Sequence, residues 1–519
     1  MSPLLTKLNR PVAAILAVGA IAGVLRFTHL GYPEQRIFDE FYYSKSACIF
    51  LGYSDQRCDV NSSDERYWRE NRDDTGAWVH PPLGKWVIAV GELAVGTDSF
   101  GWRVSSAVIG TASVMLLAVI VQLLFASPVW TFTGGLLLAV ENLNFVQSRT
   151  SMLDIFVTFW IVLGFALLLL DRRWMERRTS GSSDGAGPLT TPAAGAAGGV
   201  DPAGAGVTGA VTLATLTAAP PRIDTIRARI AAPIWRPWRF ATGAALGAGF
   251  ATKWSALTAI VAAVVVSFLW EVTRRRRFGV ERPILDALPA EGFGLVLAFL
   301  VVPAIVYLGS YVGWFAHFGW SLGDWAHLQQ SIYDYHRNLK TIDEATGKPV
   351  HPYLSEAWKW IVLYRPVLYY AHYGDGVRQV IYANGNPAIF WGSILAIPYA
   401  AFAWARARDW RAGFVVVTIA GLYLPWFFVP RPQFLFYATP ITPFFVLACV
   451  YALRDLSEVR FEALRSIPHH VRSVRPYLPI AVAFVLVAVG LFAWFWPTLT
   501  GGPVSDADWA RRAWFTSWT

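Results

Sequence analysis

The stretch K-W-S-A-L-T-A-I-V-A-A-V-V-V-S-F-L-W-E-V-T-R-R-R-R, Lys253–Arg277, sets the reading of the whole chain. From 254 to 271 it is an apolar run of bilayer-crossing length. It then stops at four consecutive arginines, Arg274 to Arg277. Such a basic flank marks the cytoplasmic end of a span. The same pattern recurs along the 519 residues, of which 55% are hydrophobic and only 15% charged, well below the roughly 25% charge of a soluble domain. The 25 Trp and 20 Tyr gather near the ends of the apolar runs, where amphipathic rings sit at a lipid interface.

Apolar runs fall at 12–30, 103–126, 129–147, 151–171, 237–252, 254–271, 288–309, 386–405, 411–429, 432–453 and 478–496, giving an expectation of about eleven transmembrane helices in an all-α polytopic fold. Lys7/Arg10, Arg172-Arg173 with Arg177-Arg178, Arg274 to Arg277, Arg406/Arg408/Arg411 and the basic residues from Arg454 to Arg475 then share one side. With the N-terminus cytoplasmic, an odd span count puts the C-terminus on the outer face. The net charge of +9 is thereby explained by topology, and nucleic acid is not an expected partner. The first run lacks a small-x-small cleavage site and is read as a retained anchor.

The segment 81–100 contains Glu92 and Asp98 and is read as an interfacial helix. Counting it as a span would place Arg274 to Arg277 outside. The expected organisation is an N-terminal membrane half (1–178) with a first outer loop (31–102), a mostly disordered cytoplasmic linker (179–236) and a C-terminal membrane half (237–519) with a second outer loop (310–385). Residues 179–220 are rich in Gly, Ala, Pro, Ser and Thr, too polar and small to build a core. In the first outer loop Cys48 and Cys58 are a candidate disulfide if that loop faces an oxidising compartment, with free thiols the alternative; Cys449 lies inside an apolar run.

This topology collects a pointed set of polar residues on the outer face. They are Asp39-Glu40 in R-I-F-D-E-F-Y-Y; His80 and Lys85 in H-P-P-L-G-K; Arg103; Glu141-Asn142; Arg149 and Asp154 in S-R-T-S-M-L-D; Lys253; and Arg431. Singly, each has a plain reading as a solvated loop residue or a snorkelling interface anchor. Together at one membrane surface they are a functional cluster. Acids mixed with Arg and Lys beside lipid suit transfer from a lipid-linked phosphate. The cations hold the charge growing on the departing phosphate, and a carboxylate takes the proton of a hydroxyl acceptor. One base and no protein nucleophile imply a single inverting displacement. Asp39, Glu40, His80 and Asp154 are also a possible set of hard metal ligands, but Arg and Lys can neutralise a monophosphate, so a metal-free site is expected. A transporter would place such groups near the midplane instead.

These motifs, in this order, resemble the protein O-mannosyltransferase family across most of the chain outside the linker. The acidic pair after the first span matches Asp39-Glu40, the His-Pro-Pro-Leu-x-Lys motif His80 to Lys85, and the Thr-Lys-Trp motif Thr252 to Trp254. Arg103, Glu141-Asn142 and Ser148-Arg149…Leu153-Asp154 also match, as do late-loop stretches Tyr333 to Leu339, His351 to Tyr353 and Arg365 to Tyr370. The resemblance implies the fold of lipid-carrier-dependent (GT-C type) glycosyltransferases. It implies a polyprenyl- or dolichyl-phosphate-mannose donor, and Ser or Thr hydroxyls of exported proteins as acceptors. Asp39 would be the base, with Glu40 positioning acceptor or sugar. Arg103, Lys253, Arg149 and Arg431 are the donor-phosphate candidates; His80, Lys85, Asp154, Glu141 and Asn142 are the substrate-positioning candidates. The loop 310–385 is too short for the eukaryotic β-trefoil module, which points to a bacterial plasma-membrane member. A related transferase acting on a glycan or lipid is the alternative, and the protein export channel is a candidate partner.

Overall fold

The structure, a computed structural model, describes residues 3–61, 79–181, 233–374, 376–459 and 476–518. Among these, nine helices are long and apolar enough to cross a bilayer: Asn9–Phe27, Ser99–Phe125, Leu153–Arg178, Trp254–Arg277, Pro283–Ser310, Pro387–Ala407, Trp410–Phe428, Leu435–Glu458 and Leu478–Thr500. Their faces pack into one apolar core running from Val18 to Trp518. The stretch Leu435–Glu458 is the innermost, almost wholly buried by protein.

Two expected spans are shorter than their apolar runs. The run at 129–147 breaks into Pro128–Ala139 and Asn142–Gln147. Glu141 caps the second piece: its carboxylate accepts from the backbone N–H of Leu143 (3.2 Å) and Asn144 (2.7 Å), starting a new helix. The run at 237–252 forms Pro237–Phe250, 14 residues or about 21 Å, short of the hydrocarbon core. Close packing holds it in place. A Cβ on Gly243 would lie 1.8 Å from the Ala298 carbonyl oxygen, so only glycine lets these backbones meet.

The segment read as interfacial folds as Leu83–Val95, about 20 Å long and too short to span. Two sequence signals set its ends: Pro81-Pro82 precede it, and Gly96 at φ 111° stops it. The first outer loop carries Glu40–Phe50, tied by a Cys48–Cys58 disulfide to the turn Asp55–Cys58. The late outer loop contains helix Leu322–Asn338 and strands β1 (Val367–Gly374) and β2 (Val377–Ala383), joined by β3 (Pro503–Ser505) in an antiparallel sheet of order β1-β2-β3. This sheet is an addition to the all-helical expectation. The expected linker falls almost wholly outside the described residues.

Candidate active site

Asp39 lies at the N-terminus of Glu40–Phe50 and is half-buried. Its carboxylate accepts from Tyr43 Oη at 3.4 Å, and among the described residues no cation forms an ion pair with it. Burial pushes its pKa up to about 6; nearby Lys253 pulls down, Asp154 pushes up and the Tyr43 hydroxyl pulls down. The preceding Phe38 adopts a left-handed backbone (φ 49°), uncommon for a bulky side chain. That turn lets its ring stack on Tyr369 at 4.6 Å and meet Phe436 edge-on at 5.6 Å. Tyr369, on β1, is held in turn by Gln147 at 2.8 Å.

Glu40 points the other way. It is fully buried, and its oxygens accept from Arg103 Nε and Nη2, both at 2.8 Å, and from the backbone N–H of Ile37 and Ser151, both at 3.0 Å. Arg103 spends its remaining donors on the carbonyls of Leu30, Pro33 and Gln35. Both side chains are committed to a buried ion pair that fixes the loop bearing Asp39. Arg149 likewise closes the end of the first span, donating to the carbonyls of Leu25, Arg26, Thr28 and His29. Glu141 accepts a third bond, from Asn386 N at 3.0 Å, and Asn142 donates to Gly385 O at 3.5 Å; both serve packing between chain segments.

The residues that do converge with Asp39 come from distant parts of the chain. Lys253 Nζ donates to both oxygens of Asp154, at 2.9 and 3.0 Å, and sits 4.6 Å over the Tyr437 ring. His80 lies against Tyr43 (6.2 Å) and stacks on His336 (5.4 Å). Lys85 is buried and donates to the His80 carbonyl at 3.4 Å, holding the motif's turn. His336 belongs to the late-loop stretch Tyr333 to Leu339. It bridges Val79 O (2.9 Å) and Arg431 Nη1 (2.8 Å). An arginine can only donate and a carbonyl only accept, so His336 carries its proton on Nε2 and accepts on Nδ1. Burial, with Arg431 and Lys253 nearby, lowers its pKa to about 4; His80 is likewise pushed well below the usual imidazole range by burial, then Lys253. Both imidazoles are thus neutral at pH 7. Arg431 also donates to Tyr437 Oη at 3.1 Å, and among the described residues its buried Nε has no partner.

Among the described residues the cluster therefore offers one carboxylate free of ion pairing, two fixed cations, two neutral imidazoles and an aromatic wall. Among the described residues no group of three or more His, Cys, Asp or Glu side chains is placed to hold a metal.

Comparison with known proteins gives the family. The sequence pattern of the dolichyl-phosphate-mannose-protein mannosyltransferase family matches residues 16–219, and that of the C-terminal four TMM region of protein-O-mannosyltransferase matches 321–518. A polyprenol-phosphate-mannose–protein mannosyltransferase of Mycolicibacterium smegmatis (strain MKD8) is 30% identical, over 96% of this chain and 92% of its own. Its counterpart in Corynebacterium glutamicum is 27% identical, over 99% and 94%. In structure, the Saccharomyces cerevisiae protein O-mannosyltransferase Pmt1-Pmt2 complex bound to the sugar donor aligns with a TM-score of 0.65 at 13% identity, covering 98% of this chain and 92% of that one. The fold is that of the membrane-embedded GT-C glycosyltransferases. Within that class, the chain belongs to the protein O-mannosyltransferase family.

Proposed function

We propose that this enzyme transfers mannose from polyprenyl-phosphate mannose to Ser or Thr hydroxyls of exported proteins. It acts at the outer face of a bacterial plasma membrane, with its N-terminus cytoplasmic and its C-terminus outside. The observation that carries the reading is the contrast between adjacent acids: Glu40 is locked by Arg103, while Asp39 is free of ion pairing, half-buried and raised toward neutral pH. A base needs such a pKa, since it must be ionised at rest and still accept a proton.

In the reaction the acceptor oxygen attacks the anomeric carbon and its proton passes to the Asp39 carboxylate. The bond from that carbon to the phosphate oxygen breaks on the opposite side, with inversion. Polyprenyl phosphate departs with the electron pair, and Arg431 and Lys253 meet its charge. Asp154 holds Lys253 in place, His336 aims Arg431, and His80 lines the approach. Two cations suffice for a monophosphate, so no divalent metal enters this scheme. Exported, unfolded polypeptide is the natural acceptor for a site beside the outer surface, where an export channel would deliver it.

The test is mannose transfer by the purified protein in detergent, from polyprenyl-phosphate mannose to a Ser/Thr-rich peptide in excess EDTA. Transfer is expected. Activity that returns only with Mn²⁺ or Mg²⁺ would replace the metal-free scheme, and folded protein inert under both conditions would replace the proposed donor and acceptor.

A further inference from the structure

The far end of the bundle carries a second cavity, unrelated to mannose transfer. Helix Leu257–Arg277 starts beside Lys253, and its 21 residues carry the chain about 31 Å, one bilayer thickness, to Arg274 to Arg277. There, between this helix, Pro387–Ala407 and Trp410–Tyr423, lies a cavity of about 470 Å³. A neighbouring one of about 410 Å³ shares Trp270, Thr273 and Arg277 with it.

The chemistry of the walls is divided. Leu269, Phe414 and Val417 make an apolar side, and Arg276, Arg277 and Arg408 make a basic rim. The acids nearby are already committed. Asp171 and Glu271 pair with Arg236; Glu271 also takes Arg274 and Arg275; Glu291 takes Arg239 and Asp286 takes Arg275. Among the described residues no carboxylate pairs with Arg276, Arg277 or Arg408. Behind the rim, Arg172 is buried, paired with Glu176 at 2.8 Å and with its guanidinium 3.9 Å over Trp410 and 5.0 Å over Trp270; among the described residues its Nε has no partner.

The geometry points to a binding site for one anionic phospholipid of the leaflet opposite Asp39, its phosphate on the arginine rim and an acyl chain along the Leu269–Val417 wall. Charge complementarity selects the occupant. Unpaired arginines at a membrane surface attract anionic headgroups, and basic pockets between spans are the recurrent form of such sites. The apolar wall adds what a soluble anion cannot use.

The full-length protein in neutral detergent would be offered phosphatidylglycerol, phosphatidylcholine, inorganic phosphate or polyprenyl phosphate, with retained lipid counted by native mass spectrometry. Retention of phosphatidylglycerol over phosphatidylcholine by on the order of tenfold or more is expected. It should fall by a similar factor in Arg276→Gln/Arg277→Gln/Arg408→Gln. Thr273→Trp fills the cavity while leaving every charge, and should also release the lipid; it decides alone if the triple variant fails to fold. Equal retention of both phospholipids, or undiminished retention in Thr273→Trp, overturns the site. Displacement by millimolar inorganic phosphate, or preferential uptake of polyprenyl phosphate at the same residues, overturns the phospholipid assignment.

Discussion

Arg103 clasps Glu40 through two 2.8 Å hydrogen bonds, and this contact separates two adjacent acids that look interchangeable on paper. Glu40 becomes a fixed point of the fold, and Asp39 beside it is left without an ion-pair partner among the described residues.

Asp39→Asn should reduce turnover by about 10²–10⁴-fold, the usual worth of a positioned general base, while donor binding persists. Single-turnover transfer by purified protein, beside donor binding measured directly, checks this. Turnover within a few-fold of wild type would sink the assignment.

Rate should follow the ionisation of Asp39. With its pKa raised to about 6, kcat/KM is expected to fall tenfold per pH unit below 6 and to level off above it. Stability runs the opposite way. The folded carboxyl holds its proton more tightly than the unfolded one, so its contribution is complete below the unfolded pKa of 3.8 and lost as pH rises through 6. Asp39→Asn should therefore raise Tm at pH 7.5 and leave it unchanged near pH 4. A Tm gain equal at both pH values would contradict the shift.

Arg103→Ala leaves Glu40 buried without its counter-ion. A loss of about 3–5 kcal/mol is expected, seen as low yield and a lowered Tm in detergent. If the variant folds with normal Tm but a raised donor KM, Arg103 contacts the donor after all.

Arg431 and His336 should behave as a pair in donor kinetics. Arg431→Ala is expected to raise the donor KM by about 10–100-fold, the worth of a charge-assisted hydrogen bond. His336→Phe preserves the stack on His80 but removes the Nδ1 acceptor, and should raise it by a smaller factor. Acceptor KM should stay constant in both; a selective rise there would move the pair to the acceptor side.

How much of this was legible in sequence follows from the range of each interaction. Span-length apolar runs are local and were readable, as were the ionisable residues crowding one surface. The roles within that crowd were not. Glu40 and Arg103 are 63 residues apart, and nothing near either announces the partner. Arg149 resembled a phosphate ligand because its acceptors are backbone carbonyls, which no sequence displays. Glu141 sits in an apolar run, and its capping role appears only once the chain bends there. The signal for His336 was present in Y-D-Y-H-R-N-L, but its position against Val79 and Arg431 depends on a loop folding back over the first outer segment. The β1-β2 hairpin lies within the second outer loop, and its third strand comes from Pro503–Ser505, far along the chain.

The Lys253–Asp154 bond has one more implication. It joins residues on either side of the interval 182–232, as do Asn386 to Glu141 and His336 to Val79. The pocket is thus the joint property of two segments that neither possesses alone. A chimera spliced in that interval from two diverged relatives would keep these paired residues and yet have to match every apolar contact of the shared core around them. Natural recombination there should be rare, and an engineer swapping acceptor specificity would do better to graft single loops than to exchange halves.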